Sequence, residues 1–209
     1  MLQKLYGFDV GYDVADFLIT DAALARYLGG DAIAGIPENL LIRQDGDTLD
    51  ISLYLNRELV ELLEQENPFQ HLHASNISEF CLALEGVSHF LYLAWNAASD
   101  RSITLLELEM QAEVDKYAML ALLLKTQRKD SLPGWLRNWL FDDVSYRPAP
   151  GSAEHERYRH ANHFARRFCR HLERRFRWRW NGLDLVAELR AFYRLRQPQK
   201  IAFINHACA

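Results

Sequence analysis

Ser75-Asn76-Ile77-Ser78-Glu79-Phe80-Cys81-Leu82-Ala83-Leu84-Glu85-Gly86-Val87-Ser88-His89-Phe90-Leu91-Tyr92-Leu93-Ala94-Trp95 decides the fold class. Ile77, Phe80, Leu84, Val87, Leu91 and Ala94 recur at three- and four-residue steps, the period of one helix face. Ser75 or Asn76 supplies an N-cap. Gly86 interrupts the pattern at a cost of about 1 kcal/mol relative to alanine. A turn over Asn96 to Arg101 follows. Thr104 with Glu107 then forms a capping box for a second long helix to about Lys125, with Leu106, Met110, Tyr117, Ala121 and Leu124 as its stripe. Two long helices joined by a short turn predict an antiparallel helical hairpin over residues ~76–126. The rival reading places 89–95 and 105–110 on paired strands, where alternation is short.

Working outward, Leu40 to Gln44, Asp45-Gly46-Asp47 and Thr48 to Leu55 read as a β-hairpin. Leu49, Ile51, Leu53 and Leu55 alternate with Asp50, Ser52 and Tyr54, which predicts one buried face. Before it, Asp13 or Asp16 opens a short helix through Phe17 and Leu18. Asp21 caps a helix over Ala22 to Leu28, stopped by Gly29-Gly30, and Ile33 to Glu38 reads as a loop. After the hairpin, Asn56 caps a helix that Pro68 terminates. Beyond residue 130 the chain turns irregular, with a short helix around Trp135 to Phe141. Ser152 then caps a long helix to about Phe176, and Glu154 and Glu156 in its first turn favour the helix dipole. A last helix runs from about Asp184 to Leu195, ended by Pro198. The fold expected is mainly α: a single globular domain over 1–209 with a small β-hairpin at residues ~40–55. A secondary division separates an acidic part, 1–130, from a basic helical part, 151–209.

The chain has 209 residues, of which 49% are hydrophobic and 25% charged, the composition of a globular protein able to bury its own core. Net charge is −4, with 28 acidic against 24 basic residues. That charge is unevenly placed. Residues 1–149 hold 11 Lys+Arg against 23 Asp+Glu, and residues 150–209 hold 13 against 5. Such asymmetry points to an acidic partner, a protein or a nucleic acid, or to docking of one part on the other. The cysteines, Cys81, Cys169 and Cys208, match no zinc spacing and read as small buried hydrophobes in a reducing compartment. Met1-Leu2-Gln3-Lys4-Leu5 lacks the apolar core of a signal peptide. No stretch approaches the roughly 20 apolar residues of a membrane span. The protein is therefore expected in the cytoplasm, without membrane partners.

Three constellations can carry function. In the first, Glu85 and His89 stand four apart on one helix face. A hairpin turn near residues 100–101 brings them toward Glu109, Glu113 and Lys116. Carboxylates and histidine from facing helices build metal sites and acid–base pairs. The bundle di-metal pattern needs Glu-x-x-His, which is absent, so an ion-paired structural cluster competes with catalysis by Glu85, His89, Glu109 and Glu113. In the second, His160, His163 and His171 share a helix with many arginines, which oppose a cation, so they read as solvated or partner-contacting. The third is Arg174-Arg175-Phe176-Arg177-Trp178-Arg179-Trp180-Asn181-Gly182, in which arginine alternates with aromatics. Arg166, Arg170, Arg174, Arg177, Trp178 and Trp180 are its candidate partner-binding residues, suited to phosphate contact and base stacking. Docking of the aromatics on the core is the competing reading.

No Gly-rich phosphate loop, Gly-x-Ser-x-Gly, His-Glu-x-x-His or Cys-x-x-Cys occurs, which disfavours common nucleotide, hydrolase and zinc-protease chemistry. No bound metal or cofactor is expected. The function expected is a non-enzymatic binding or regulatory module whose basic C-terminal third engages an acidic partner. An enzyme or metal protein built on the Glu/His cluster is the alternative.

Overall fold

The computed structural model describes residues 1–128, 133–176 and 182–207. It is mainly helical with one small sheet. The chain forms two compact units. The first comprises Met1–Asp9 and Asn96–Ala209, and the second Val10–Trp95.

The second unit holds the sheet. Asp13 caps a 3-10 turn, Val14–Phe17, by accepting from the Ala15 amide, and the chain then enters β1, Leu18–Ile19. The short helix expected from Asp13 is thus a 3-10 turn that ends at Phe17, one residue before the expected end, because Leu18 enters the sheet. Asp21 accepts from the amides of Ala23 and Leu24 and opens α2, Ala22–Gly29. Strands β2, Glu38–Asp45, and β3, Thr48–Leu55, form the hairpin, and β1 adds in parallel to the free side of β3. Asp45 pairs with Thr48, so the two-residue turn is Gly46-Asp47, with Gly46 at φ 57°. Glycine at that position supplies the positive φ that hairpin turns require.

The alternation expected in β3 holds only in part. Leu53, Tyr54 and Leu55 are all buried. Tyr54 joins Ala25, Ile33 and Leu41 in a small core, with Ile19 packed against it. Helix α2 thus covers the second face of the sheet, and a strand covered on both faces loses its period-two signal. Asn56 caps α3, Arg57–Gln65, by accepting from the Leu59 amide. The long helix α4, Ile77–Ala97, lies in this unit through Trp95. Gly86 lets the sheet approach it. A Cβ there would stand 2.5 Å from Leu53 Cδ1 and 2.7 Å from Glu38 Oε1.

The first unit is helical. Its elements are α1, Leu2–Tyr6; α5, Leu105–Arg128; α6, Trp135–Phe141; α7, Ala153–Phe176; α8, Leu183–Arg194; and α9, Gln197–Ala207. Both α4 and α5 are helical throughout, which removes the paired-strand alternative for 89–95 and 105–110. Helix α5 packs along α7, α6 packs on both, α1 packs on α8, and α9 packs on α7. Thr104 caps α5 by accepting from the Glu107 amide at 3.1 Å. The Glu107 carboxylate accepts from the Gln197 amide at 3.0 Å, so it helps to cap α9. Pro198 does not end the last helix. It sits in the first turn of α9, where a missing N–H is tolerated.

Among the described residues one helix, α4, is long and apolar enough to cross a membrane, with 56% of its apolar window buried in the fold. A buried core helix meets the same criterion.

Candidate functional site

Helix α7 begins where Ser152 accepts from the His155 amide at 3.1 Å. Its inner side is Ala161, Ala165, Phe168, Cys169, Leu172 and Phe176, all buried. Phe168 stacks on Phe192 of α8 at 3.8 Å between centroids. Burial of this side fixes the rotation of the helix. Arg159, His163, Arg166, Arg170 and Arg174 then fall on the opposite side, and all are exposed. Their steps of three, four and seven residues keep them on one line, about 22 Å long at 1.5 Å per residue.

The pairing of these cations is uneven. Arg159 meets Glu156 at 2.7 Å and Arg166 meets Asp142 at 2.7 Å. Off the line, Arg175 lies 3.6 Å from Glu188, and Arg167 donates to the Asn205 side chain and the Ile204 carbonyl. Among the described residues, Arg170 and Arg174 have no carboxylate within ion-pair distance. His163 reports the resulting field. Its pKa is lowered by partial burial and then by Arg167, His160, Arg159 and Arg166. Of the sequence-derived partner-binding residues, Arg166, Arg170 and Arg174 are thus brought into one exposed row. Arg177, Trp178 and Trp180 lie outside the described residues.

The catalytic candidates divide between the units. Glu85 and His89 stand one turn apart on α4, with ligand atoms within 4.8 Å of one another and His89 buried. Glu109 and Glu113 lie on α5. Glu109 faces Arg157 of α7 at 3.8 Å, and Glu113 holds Lys116 at 2.8 Å. Tyr146 lies nearby, its pKa raised by burial and by the Glu113 charge. Both catalytic candidates on α5, Glu109 and Glu113, are therefore engaged by cations of the same unit. His171 pairs with Glu188 at 3.0 Å, away from the exposed His160 and His163, so the three histidines form no common ligand set.

A second polar centre was not anticipated from sequence. Lys200 of α9 is fully buried and donates to Gln111 Oε1. Gln111 turns its amide nitrogen to Asp115 Oδ1 at 2.7 Å, and the Tyr6 hydroxyl donates to the same oxygen. The Gln111 amide thus presents its negative end to the ammonium and its positive end to the carboxylate. Desolvation brings the Lys200 pKa down to about 7, against the upward pull of Glu107 and Asp115, with Arg101 adding to the depression. Arg190 and Arg194 donate to the carbonyls of Lys4, Leu5 and Tyr6 and fasten α1 over this centre.

The fold and this row of arginines define a mainly α protein with a three-stranded sheet and an exposed cationic helix face. No family model matches the chain, and neither a curated protein nor a solved structure matches it.

Proposed function

We propose that this protein is a binding or regulatory module that engages an acidic partner through the exposed arginine row of α7. The observation that carries the reading is the state of Arg170 and Arg174, exposed and without a carboxylate of their own among the described residues. An arginine row serving only to bind the acidic part of the chain would be covered by it. The row concentrates positive charge on a chain of net charge −4, so this face can attract a polyanion locally. Buried thiols at Cys81 and Cys169 support a reducing compartment, and we place the protein in the cytoplasm. Retention on heparin at low salt tests the reading. Wild type is expected to bind and to elute with salt, and an Arg166→Glu, Arg170→Glu, Arg174→Glu variant to pass through. Flow-through of wild type overturns it.

A second reading, a divalent metal or acid–base chemistry centred on Glu85 and His89, is favoured by the closeness of their ligand atoms and the burial of His89. Metal content of the dialysed protein, compared with a His89→Ala variant, tests it. Stoichiometric metal lost with the histidine supports this reading, and equal, trace content in both overturns its metal form.

A further inference from the structure

We infer that the partner of the α7 row is the phosphate backbone of a nucleic acid, contacted without base readout. The inference rests on the reading of α7 as a binding face and adds the chemistry of what it binds.

The row lacks an apolar anchor. Its exposed positions, 159, 160, 163, 166, 170 and 174, are all arginine or histidine, and no large exposed apolar residue stands on α7. Protein interfaces draw their affinity from buried aromatic and aliphatic anchors at the centre of the patch, with charges at the rim. A line of cations with no such anchor has the composition of a phosphate-contacting surface, where charge and counterion release supply the affinity.

The kind of cation points the same way. Ala153–Phe176 holds seven arginines and no lysine. The planar guanidinium offers two parallel donors to a phosphate, and it is more weakly hydrated than an ammonium, so contact costs less desolvation.

So does the spacing. Arg166, Arg170 and Arg174 succeed one another by one turn, about 6 Å along the axis. Phosphates recur at a regular spacing along a nucleic-acid strand, so guanidinium groups at regular one-turn steps can meet several of them. Arg166 and Arg159 can exchange their exposed partners Asp142 and Glu156 for phosphate at little cost, since exposed pairs are worth only about 0–1 kcal/mol. Two to four phosphates are then neutralised.

Fluorescence anisotropy on the full chain tests this, with a labelled duplex, a labelled single strand and unlabelled polyglutamate of matched charge as competitor. Affinity for one or both nucleic acids is expected to fall with salt, with a log–log slope of about −2 to −4 between about 50 and 200 mM. The duplex and single-strand arms identify which form supplies the phosphates. An Arg170→Glu, Arg174→Glu variant is expected to bind at least about tenfold more weakly. Both positions are exposed, and an unchanged thermal melt verifies its fold. Polyglutamate is expected to compete poorly. A heparin-retained protein that binds polyglutamate as well as nucleic acid overturns the phosphate inference and leaves an acidic protein as the partner of α7. Absence of binding to any polyanion overturns both.

Discussion

The Lys200 ammonium lies 4.4 Å from the centroid of the Phe192 ring and donates to the side-chain oxygen of Gln111. The ring face and the amide oxygen replace hydration only in part. Folded Lys200 therefore gives up its proton near pH 7, whereas an unfolded lysine keeps it to about pH 10.4. Between those values the unfolded chain binds more protons, so stability rises with pH. Glu107, Asp115, Arg101, Tyr6 and Tyr193 are the other ionisable groups about the site. Tyr6, whose pKa is raised by burial and then by Asp115, favours the fold below about pH 10 and loses that contribution above it. Urea midpoints from pH 6 to 9.5 are expected to climb in wild type and to lose that climb in Lys200→Met. A wild-type profile that is flat or falling refutes the assignment.

Gly86→Ala is expected to destabilise the second unit by about 1–3 kcal/mol through overpacking. The same change at an exposed helical site gains about 1 kcal/mol. The new methyl meets Leu53, which is itself 1% exposed and has nowhere to retreat, and Glu38 on the neighbouring strand. Chemical denaturation followed by circular dichroism gives the sign directly. A gain in stability would mean that the sheet can move away from α4.

The parts of the fold that sequence revealed are those whose signals are local. Helix α7 announces itself by the Ser152 cap, the acidic first turn, and apolar and arginine residues on opposite sides. The hairpin follows from Gly46 between two apolar runs. What stayed hidden depends on distant chain. Strand β1 is two residues long, too short to show alternation, and exists because β3 offers it an edge. Tyr54 reads as solvent-facing until α2 is folded over it. Pro198 reads as a terminator, yet a proline near a helix boundary equally opens one, and Glu107, 90 residues away, helps to cap α9. Lys200 looks like a surface lysine because Gln111, to which it donates, and Asp115 and Tyr6 beyond it lie far away in sequence. The arginine row was legible from spacing alone. Which of its members are paired was not, because Asp142 reaches Arg166 from 24 residues away.

Asn76 fixes the entry to α4 and offers a further test. It is fully buried, accepts from the His73 amide at 2.9 Å, and donates to the carbonyls of Glu66 and His71, each at 2.9 Å. Asn76→Ala leaves an amide and two carbonyls without these partners, at an expected cost of about 2–4 kcal/mol. Asn76→Asp retains the acceptor but turns an anion toward two carbonyls, and should be no better at neutral pH. Equal stability of Asp and wild type in a denaturant titration would show that the two donated bonds contribute nothing.

His163 gives the α7 reading a dependence on pH whose sign is fixed. In the free protein its pKa is held below the ordinary value by partial burial and by the positive charge of Arg167, His160, Arg159 and Arg166. A polyanion laid along the row cancels that positive field and adds negative charge, which raises the pKa of the bound form. Binding then takes up a proton, and by linkage affinity increases as pH falls through and below about 6.5. Anisotropy of a labelled duplex at constant ionic strength, from pH 5 to 8, should show that increase. His163→Gln should lose part of the slope while keeping most of the affinity at pH 8, where the histidine is neutral and the arginines still carry the contact. A pH profile identical in wild type and His163→Gln would place the ligand away from the middle of the row.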